Sequence, residues 1–490
     1  MFKDEHKQSV WNTLLQHGLQ PLRGLLPDSL VESAAVLAGL RRGSGPLNIV
    51  SLVWLALLSA VERGRNFANV LQLTLKLLHD AQRWEGAASP SLLPARRHEG
   101  KKAKGKSKHD PHGSDPNLVS EEAFVQARKR MPRVFWVGLI LLLGKCFDQK
   151  HGRLLRFGKY RLLALDGTTL ELPGRKNLLE HFGANANQHG RGKRAAARMV
   201  MLQFPLTRLP WRYQLGPLNQ GERTVAAGLL DQLEADDLVL MDRGFFSYGL
   251  FWRVQRRSAF FAIRLMSGVK LRQVRRLGHK DRLVSWTPCD RNKWKDCPES
   301  IELRVIDYQI KGFRPSAIVT NLTDPRAISR QQWVRLSTAR ESGRRLGPGL
   351  YHRRWEIETT FFELKVEQGM EGSLRGRTIE CIEYEVAGHV LLYMLLRWLM
   401  VEAAVTSGRD PLRLSFLEAL RELDDLRPAL LAADVKQVAE YLIPLLLERI
   451  ASHRVPWRPG RYDPRPGDTK VKYKGKGKYR QPSKLVGNET

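Results

Sequence analysis

Two apolar runs in the chain end on an acid. Asp166 closes 162-LLALD-166 and is followed by Gly167, and Asp242 closes 237-DLVLMD-242 and is followed by Arg243 and Gly244. In open α/β sheets ligands gather beyond the carboxyl ends of buried strands, and both aspartates are placed for that. Both also fit ordinary strand-to-turn punctuation. A third acid lies within 351-YHRRWEIETTFFELK-365. Wound as an α-helix at about 100° per residue, this segment puts Tyr351, Arg354, Glu358 and Lys365 on one stripe, with Glu356, Glu363 and Glu367 on the other side. Arg354 and Glu358 also form the i,i+4 pair that stabilises exposed helices by a few tenths of a kcal/mol. Three carboxylates brought together repel and need counter-charge. Two Mg²⁺ ions about 4 Å apart, on oxygen ligands from two strand ends and one helix, would supply it. Such a pair activates a water or a 3′-hydroxyl and stabilises the leaving oxygen of an in-line displacement at phosphorus. Arg354 and Lys365 are then placed for flanking phosphate oxygens, with the Tyr351 hydroxyl as a further donor.

The elements that must position these residues follow from periodicity. Apolar spacing predicts helices over 29–40, 51–64 and 66–79, an all-α unit. Another helix is predicted over 121–131, with Ser120 and two glutamates at its start. Strands are expected at 160–173, 196–205 and 211–218. A helix at 221–234, a strand at 237–242, a helix at 248–257 and a strand at 259–265 follow. Consecutive strands followed by β-α-β-α-β predict an α/β fold, a mixed sheet with flanking helices. From about 266 to 325 the pattern is almost purely β, including 301–310 and 316–322, and reads as an insertion. Helices are expected again from Gln331 to about 402 and in a tail over 411–452.

Composition restricts the partners. Among 490 residues, 81 Lys and Arg against 50 Asp and Glu give a formal charge of +31. A field of that sign attracts polyanions, nucleic acid first and an anionic membrane surface second. Cys146, Cys289, Cys297 and Cys381 lack CxxC spacing, which argues against a disulfide framework or a zinc module and for a reducing cytosol. The start, MFKDEHKQSV, has no signal-peptide h-region. Of the two greasiest runs, 134–144 is too short to span a bilayer and 386–401 carries His389 and Arg397. Both are expected to be buried helices, with no membrane role.

Residues 95–119 are rich in Lys, Gly and His and are expected to be a disordered basic linker. Within it, 100-GKKAKGKS-107 matches the phosphate-loop pattern, but it lacks the strand before and helix after that the mechanism needs. His109 and His112 read as solvated linker residues rather than metal ligands. The lysine-rich end, 456–490, reads as a second disordered arm that adds phosphate affinity without sequence specificity.

The element Y-x2-R-x3-E-x6-K, here Tyr351, Arg354, Glu358 and Lys365, resembles the signature of DDE transposases of the insertion-sequence 4 family. The surroundings 354-RWEIE-358 with Phe361 and Leu364, 165-LDGTTLELP-173, 241-MDRGFFS-247 and 320-TNLTD-324 are similar to that family too. The longer interval, from Asp242 to Glu358, matches its habit of inserting β structure there. The resemblance covers about residues 20–402. It implies a ribonuclease-H-like core in two parts, 120–265 and 331–402, around an insertion at 266–330. The all-α unit, taken as 1–94, is expected to bind DNA ends, and the sequence pattern places C-terminal helices at 403–455. Asp166, Asp242 and Glu358 would be catalytic ligands of two Mg²⁺ ions, with Mn²⁺ as a substitute. Tyr351, Arg354 and Lys365 would contact DNA phosphate, and Trp355 would stack on a flipped base, with Trp333 a weaker candidate that core packing explains better. The implied activity is cut-and-paste transposition on double-stranded DNA bounded by terminal inverted repeats, by a dimer acting in the cytoplasm at the nucleoid. A metal-dependent nuclease and a non-catalytic basic DNA-binding protein are the alternatives.

Overall fold

The structure is a computed structural model, and it describes residues 18–41, 47–62, 121–187, 190–290, 292–309, 315–338 and 345–456. The expected helix at 66–79, the linker at 95–119 with its phosphate-loop match, and nearly all of the basic arm lie outside those residues.

In chain order the main elements begin with helices α1 (Asp28–Leu37), α2 (Ile49–Val61), α3 (Glu121–Lys129) and α4 (Arg133–His151). Next come β1 (Tyr160–Leu172), α5 (Lys176–Phe182), β2 (Ala195–Phe204), β3 (Leu209–Pro217), α6 (Glu222–Leu230) and β4 (Asp237–Met241). Then α7 (Tyr248–Gln255), β5 (Phe260–Arg264), β6 (Arg272–Gly278), β7 (Asp281–Trp286), β8 (Ile301–Tyr308) and β9 (Ser316–Thr320) follow. The last part holds α8 (Glu356–Phe362), α9 (Ile379–Thr406), α10 (Phe416–Ala432) and α11 (Ile443–Ser452).

A mixed sheet runs in the order β3-β2-β1-β4-β5-β9-β8-β7-β6. β1 pairs β4 in parallel, as β4 pairs β5, and the other neighbours are antiparallel. The β-rich stretch expected as an insertion is therefore continuous with the main sheet, because β9 hydrogen-bonds β5. β1 is central and covered on both faces, which explains its unbroken apolar run.

At the start of β1 and along β4 the two faces sort mostly by residue parity, although Ala164 joins the large core, as do Leu170 and Leu172 further along β1. Leu163 and Leu165 of β1 and Val239 and Met241 of β4 join the large core with the helices. Tyr160 and Leu162, with Leu238 and Leu240, join a second core capped by Ile328, Trp333, Leu350 and Tyr351. Asp166 and Asp242 continue the second, even-numbered set, so each leaves its strand on the face that the Tyr351 segment covers.

α9 runs through the large core. It is apolar around its whole circumference, as a helix buried on all sides must be. Among the described residues it alone has the length and hydropathy of a membrane span, and that window is 94% buried inside the protein. Thr378 caps its start by accepting from the Cys381 N–H. Its Gly388 lies against α2, where a Cβ would come within 2.8 Å of the Ala56 carbonyl oxygen. Only glycine allows that approach.

One stretch departs from expectation. Between Val334 and Leu350, where helix was expected, Arg335–Thr338 and Arg345–Pro348 pair as an antiparallel hairpin. The run RLSTARESGRRLGP has no apolar 3.6-residue period and ends in Gly347 and Pro348, so it lacks the apolar stripe that would seat a helix.

Candidate active site

The parallel register of β1 and β4 pairs Leu165 with Met241 as its last step. One residue further on stand Asp166 and Asp242, side by side on strands spaced about 4.8 Å apart. Asp242 also caps the following 3-10 turn, its carboxylate accepting from the Arg243 N–H.

The third acid arrives on a segment whose winding changes twice. Leu350–Trp355 is 3-10, Glu356–Phe362 is α, and Glu363–Glu367 widens into a π turn. The uniform wheel is therefore only approximate, yet three members of its stripe face β1. Arg354 donates from Nη1 to Asp166 Oδ2 at 3.3 Å and from Nη2 to Glu358 Oε1 at 3.2 Å. Lys365 Nζ donates to the Thr169 carbonyl at 2.9 Å and reaches Thr168 Oγ1 at 3.4 Å and Glu371 at 3.3 Å. Tyr351 turns elsewhere. Its buried hydroxyl donates to the Met241 carbonyl at 2.9 Å and accepts from the Arg264 N–H at 3.2 Å. That ties the segment to the residue just before Asp242.

Electrostatics join the acids into one group. Burial pushes the Asp166 carboxyl up to about 6; the Gly167 N–H and Arg354 oppose this, while Asp242 and Glu358 add to it. Burial also works against the charge of Arg354, but Tyr351, Asp242, Asp166 and Glu358 outweigh it and raise its pKa. Arg354 is 5% exposed, and its guanidinium lies 4.7 Å from the centre of the Trp355 ring. Trp355 itself is 42% exposed, whereas Trp333 is buried in the second core.

Residues 157–395 match the family model described as "Transposase DDE domain". The Transposase InsG for insertion sequence element IS4 of Escherichia coli (strain K12) is 30% identical over 269 residues, which is 53% of this chain and 56% of that protein. Residues 157–395 are similar to a transposase DDE domain, and about half of the chain is similar to an insertion-sequence 4 transposase. The match thus spans little more than half the length of the curated relative. A solved piggyBac transposase synaptic complex with hairpin DNA aligns over 95% of this chain and 91% of that one at 10% identity. Its TM-score of 0.35 is too low to assign topology.

The segment that carries Glu358 is also held from behind, through residues that the wheel had placed on the far side. Glu363 is 4% exposed and accepts from the Tyr393 hydroxyl at 2.6 Å and from the Arg397 guanidinium, both on α9. Arg208, in the β2–β3 turn at φ 58, bonds Glu363 at 2.9 Å and Glu356 at 2.7 Å. Arg397 inside an apolar run was the visible signal of a buried partner, but nothing local named Glu363 as that partner. Arg208 carries no sequence signal at all.

DDE transposases generally use divalent metal ions. Three carboxylates, one of them poorly solvated, suit a hard, oxygen-seeking ion. Among the described residues, however, no three His, Cys, Asp or Glu side chains are already drawn together as a metal cage. Arg354 stands between two of the three. The acids fit the ion once that guanidinium yields.

Proposed function

We propose that the protein is a DNA transposase that cleaves at terminal inverted repeats and joins the freed ends to target DNA. Asp166, Asp242 and Glu358 act as ligands of two Mg²⁺ ions, for which Mn²⁺ can substitute. When bound, the ions supply Lewis acidity at phosphorus and lower the pKa of the attacking hydroxyl. The reading rests on one observation above the others: Arg354 bridges an acid on β1, 188 residues before it in sequence, to an acid on α8. It is supported by the register that sets Asp242 beside Asp166.

The chain's own residues bind and orient. Arg354 and Lys365 offer donors to DNA phosphate beside the acids, and half-exposed Trp355 offers a ring face to a base. Tyr351 fixes the carbonyl next to Asp242. The order β3-β2-β1-β4-β5, an antiparallel meander followed by two parallel strands, supports a ribonuclease-H-like core. Residues 120–265 and 331–402 are its two parts and 266–330 the insertion. DNA-end recognition falls to the helices within 1–94, the basic segments 95–119 and 456–490 add phosphate affinity, and 403–455 brace the core. The active form is a dimer on double-stranded DNA, working in the cytoplasm at the nucleoid.

With Mg²⁺, the purified protein is expected to nick an inverted-repeat duplex and join it to target DNA. Asp166→Asn, Asp242→Asn and Glu358→Gln are each expected to lower both products by at least about 10³-fold. Gel analysis of the products checks this. Full joining by any one variant removes that residue from the site, and cleavage without joining makes the protein a nuclease.

A further inference from the structure

Resting on that reading, we propose that Arg354 is an exchangeable counter-ion that keeps the acid site from taking up metal until a DNA phosphate draws its guanidinium away. The geometry carries the idea. Arg354 uses separate nitrogens on Asp166 and Glu358 and is buried, so its positive charge lies between two of the three carboxylates a cation would need. A divalent ion and a guanidinium sharing those oxygens repel each other, and at short range in a protein that repulsion is worth several kcal/mol. The ion therefore binds weakly while the bridge is closed.

A route for opening is present. Glu358 is 43% exposed at its side chain, whereas Asp166 is at 16%, so the outer half of the bridge faces solvent. The Trp355 ring beside the guanidinium is itself half-exposed. Arg354 can swing outward while keeping its aromatic contact, and a phosphate presents the paired oxygens that a guanidinium fork binds best. Backbone hydrogen bonds do not oppose the movement, because the bridge is made by side chains alone. Linkage then requires reciprocity: a phosphate that raises metal affinity by some factor has its own affinity raised by metal by the same factor. The consequence is a site that loads its ions when DNA is seated.

The test measures free Mn²⁺ by electron paramagnetic resonance on the full-length protein, with and without a short random-sequence DNA duplex. Wild type is expected to bind Mn²⁺ weakly alone and at least about tenfold more tightly with duplex, the scale set by one nearby charge. Arg354→Gln is expected to bind Mn²⁺ at least about tenfold more tightly than wild type without DNA, and to gain less than about threefold from it. Arg353→Gln removes the same charge one residue away, where its partner is Glu356, and should behave as wild type. Circular dichroism checks the fold of each variant. If Arg354→Gln does not fold, Arg354→Lys, whose ammonium reaches one carboxylate only, is expected to bind about threefold more tightly than wild type. Equal or weaker Mn²⁺ binding by the folded Arg354 variant, or an equal gain in Arg353→Gln, overturns the proposal. Unchanged Mn²⁺ uptake in Asp166→Asn and Glu358→Gln instead shows that these acids are not ligands, and the functional reading falls with it.

Discussion

Asp166 carries a charge that its surroundings oppose. Burial holds its carboxyl at about 6 against an ordinary 3.8, so between those values the folded metal-free protein keeps a proton that the unfolded chain has released. Stability therefore falls as pH rises through that window, by on the order of 2–3 kcal/mol, and levels off above it. Asp166→Asn removes the cost. Its thermal midpoint near neutral pH, without metal, is expected to equal or exceed that of wild type although catalysis is lost. A midpoint several degrees lower would mean that pairing with Arg354 outweighs burial. Tyr351 poses a different question, since the resemblance assigns its hydroxyl to DNA phosphate whereas the structure spends it on Met241 and Arg264. Tyr351→Phe is expected to cost about 1–2 kcal/mol in urea unfolding and to slow the chemical step with little change in DNA affinity. A large loss of affinity with unchanged stability would return the hydroxyl to the phosphate. The acids and the stripe were legible because each motif is short and its residue types are unusual in context. The partner of Tyr351 was not, because a backbone carbonyl on another strand leaves no mark in the sequence.

At the scale of elements, α8 is the piece that must be held still. Glu358 faces the site, while Glu356 and Glu363 anchor the other side to Arg208 and α9. Glu363→Gln leaves Arg397 buried without its counter-charge and is expected to destabilise the protein by about 3–5 kcal/mol. The pair Glu363→Leu with Arg397→Met should recover most of that loss, because an apolar pair needs no compensation. A double-mutant cycle in denaturant measures the coupling, and additive losses would show that the two side chains act independently. The helix itself was visible in the pattern, but its change from 3-10 to α to π was not, since a wheel assumes one pitch. The hairpin before it was missed because a sequence weak in every period carries no clear helix or strand signal of its own.

For the whole molecule, sequence showed the βαβ pattern and the apolar α9 but not how widely that helix is shared. α9 supports α8 through Tyr393 and Arg397 and meets α2 at Gly388. Gly388→Val would drive a side chain into the Ala56 backbone and is expected to cost about 1–3 kcal/mol, read as a lower thermal midpoint. An unchanged midpoint would mean that α2 moves aside freely. The order of synthesis gives the same helix a further meaning. On the ribosome, the two strand aspartates emerge long before Glu358, and Glu358 emerges before the arginine and tyrosine that brace its helix. The segment that carries Glu358 therefore lacks its buried brace until residue 397 has been translated, so a shorter nascent chain cannot hold it in place.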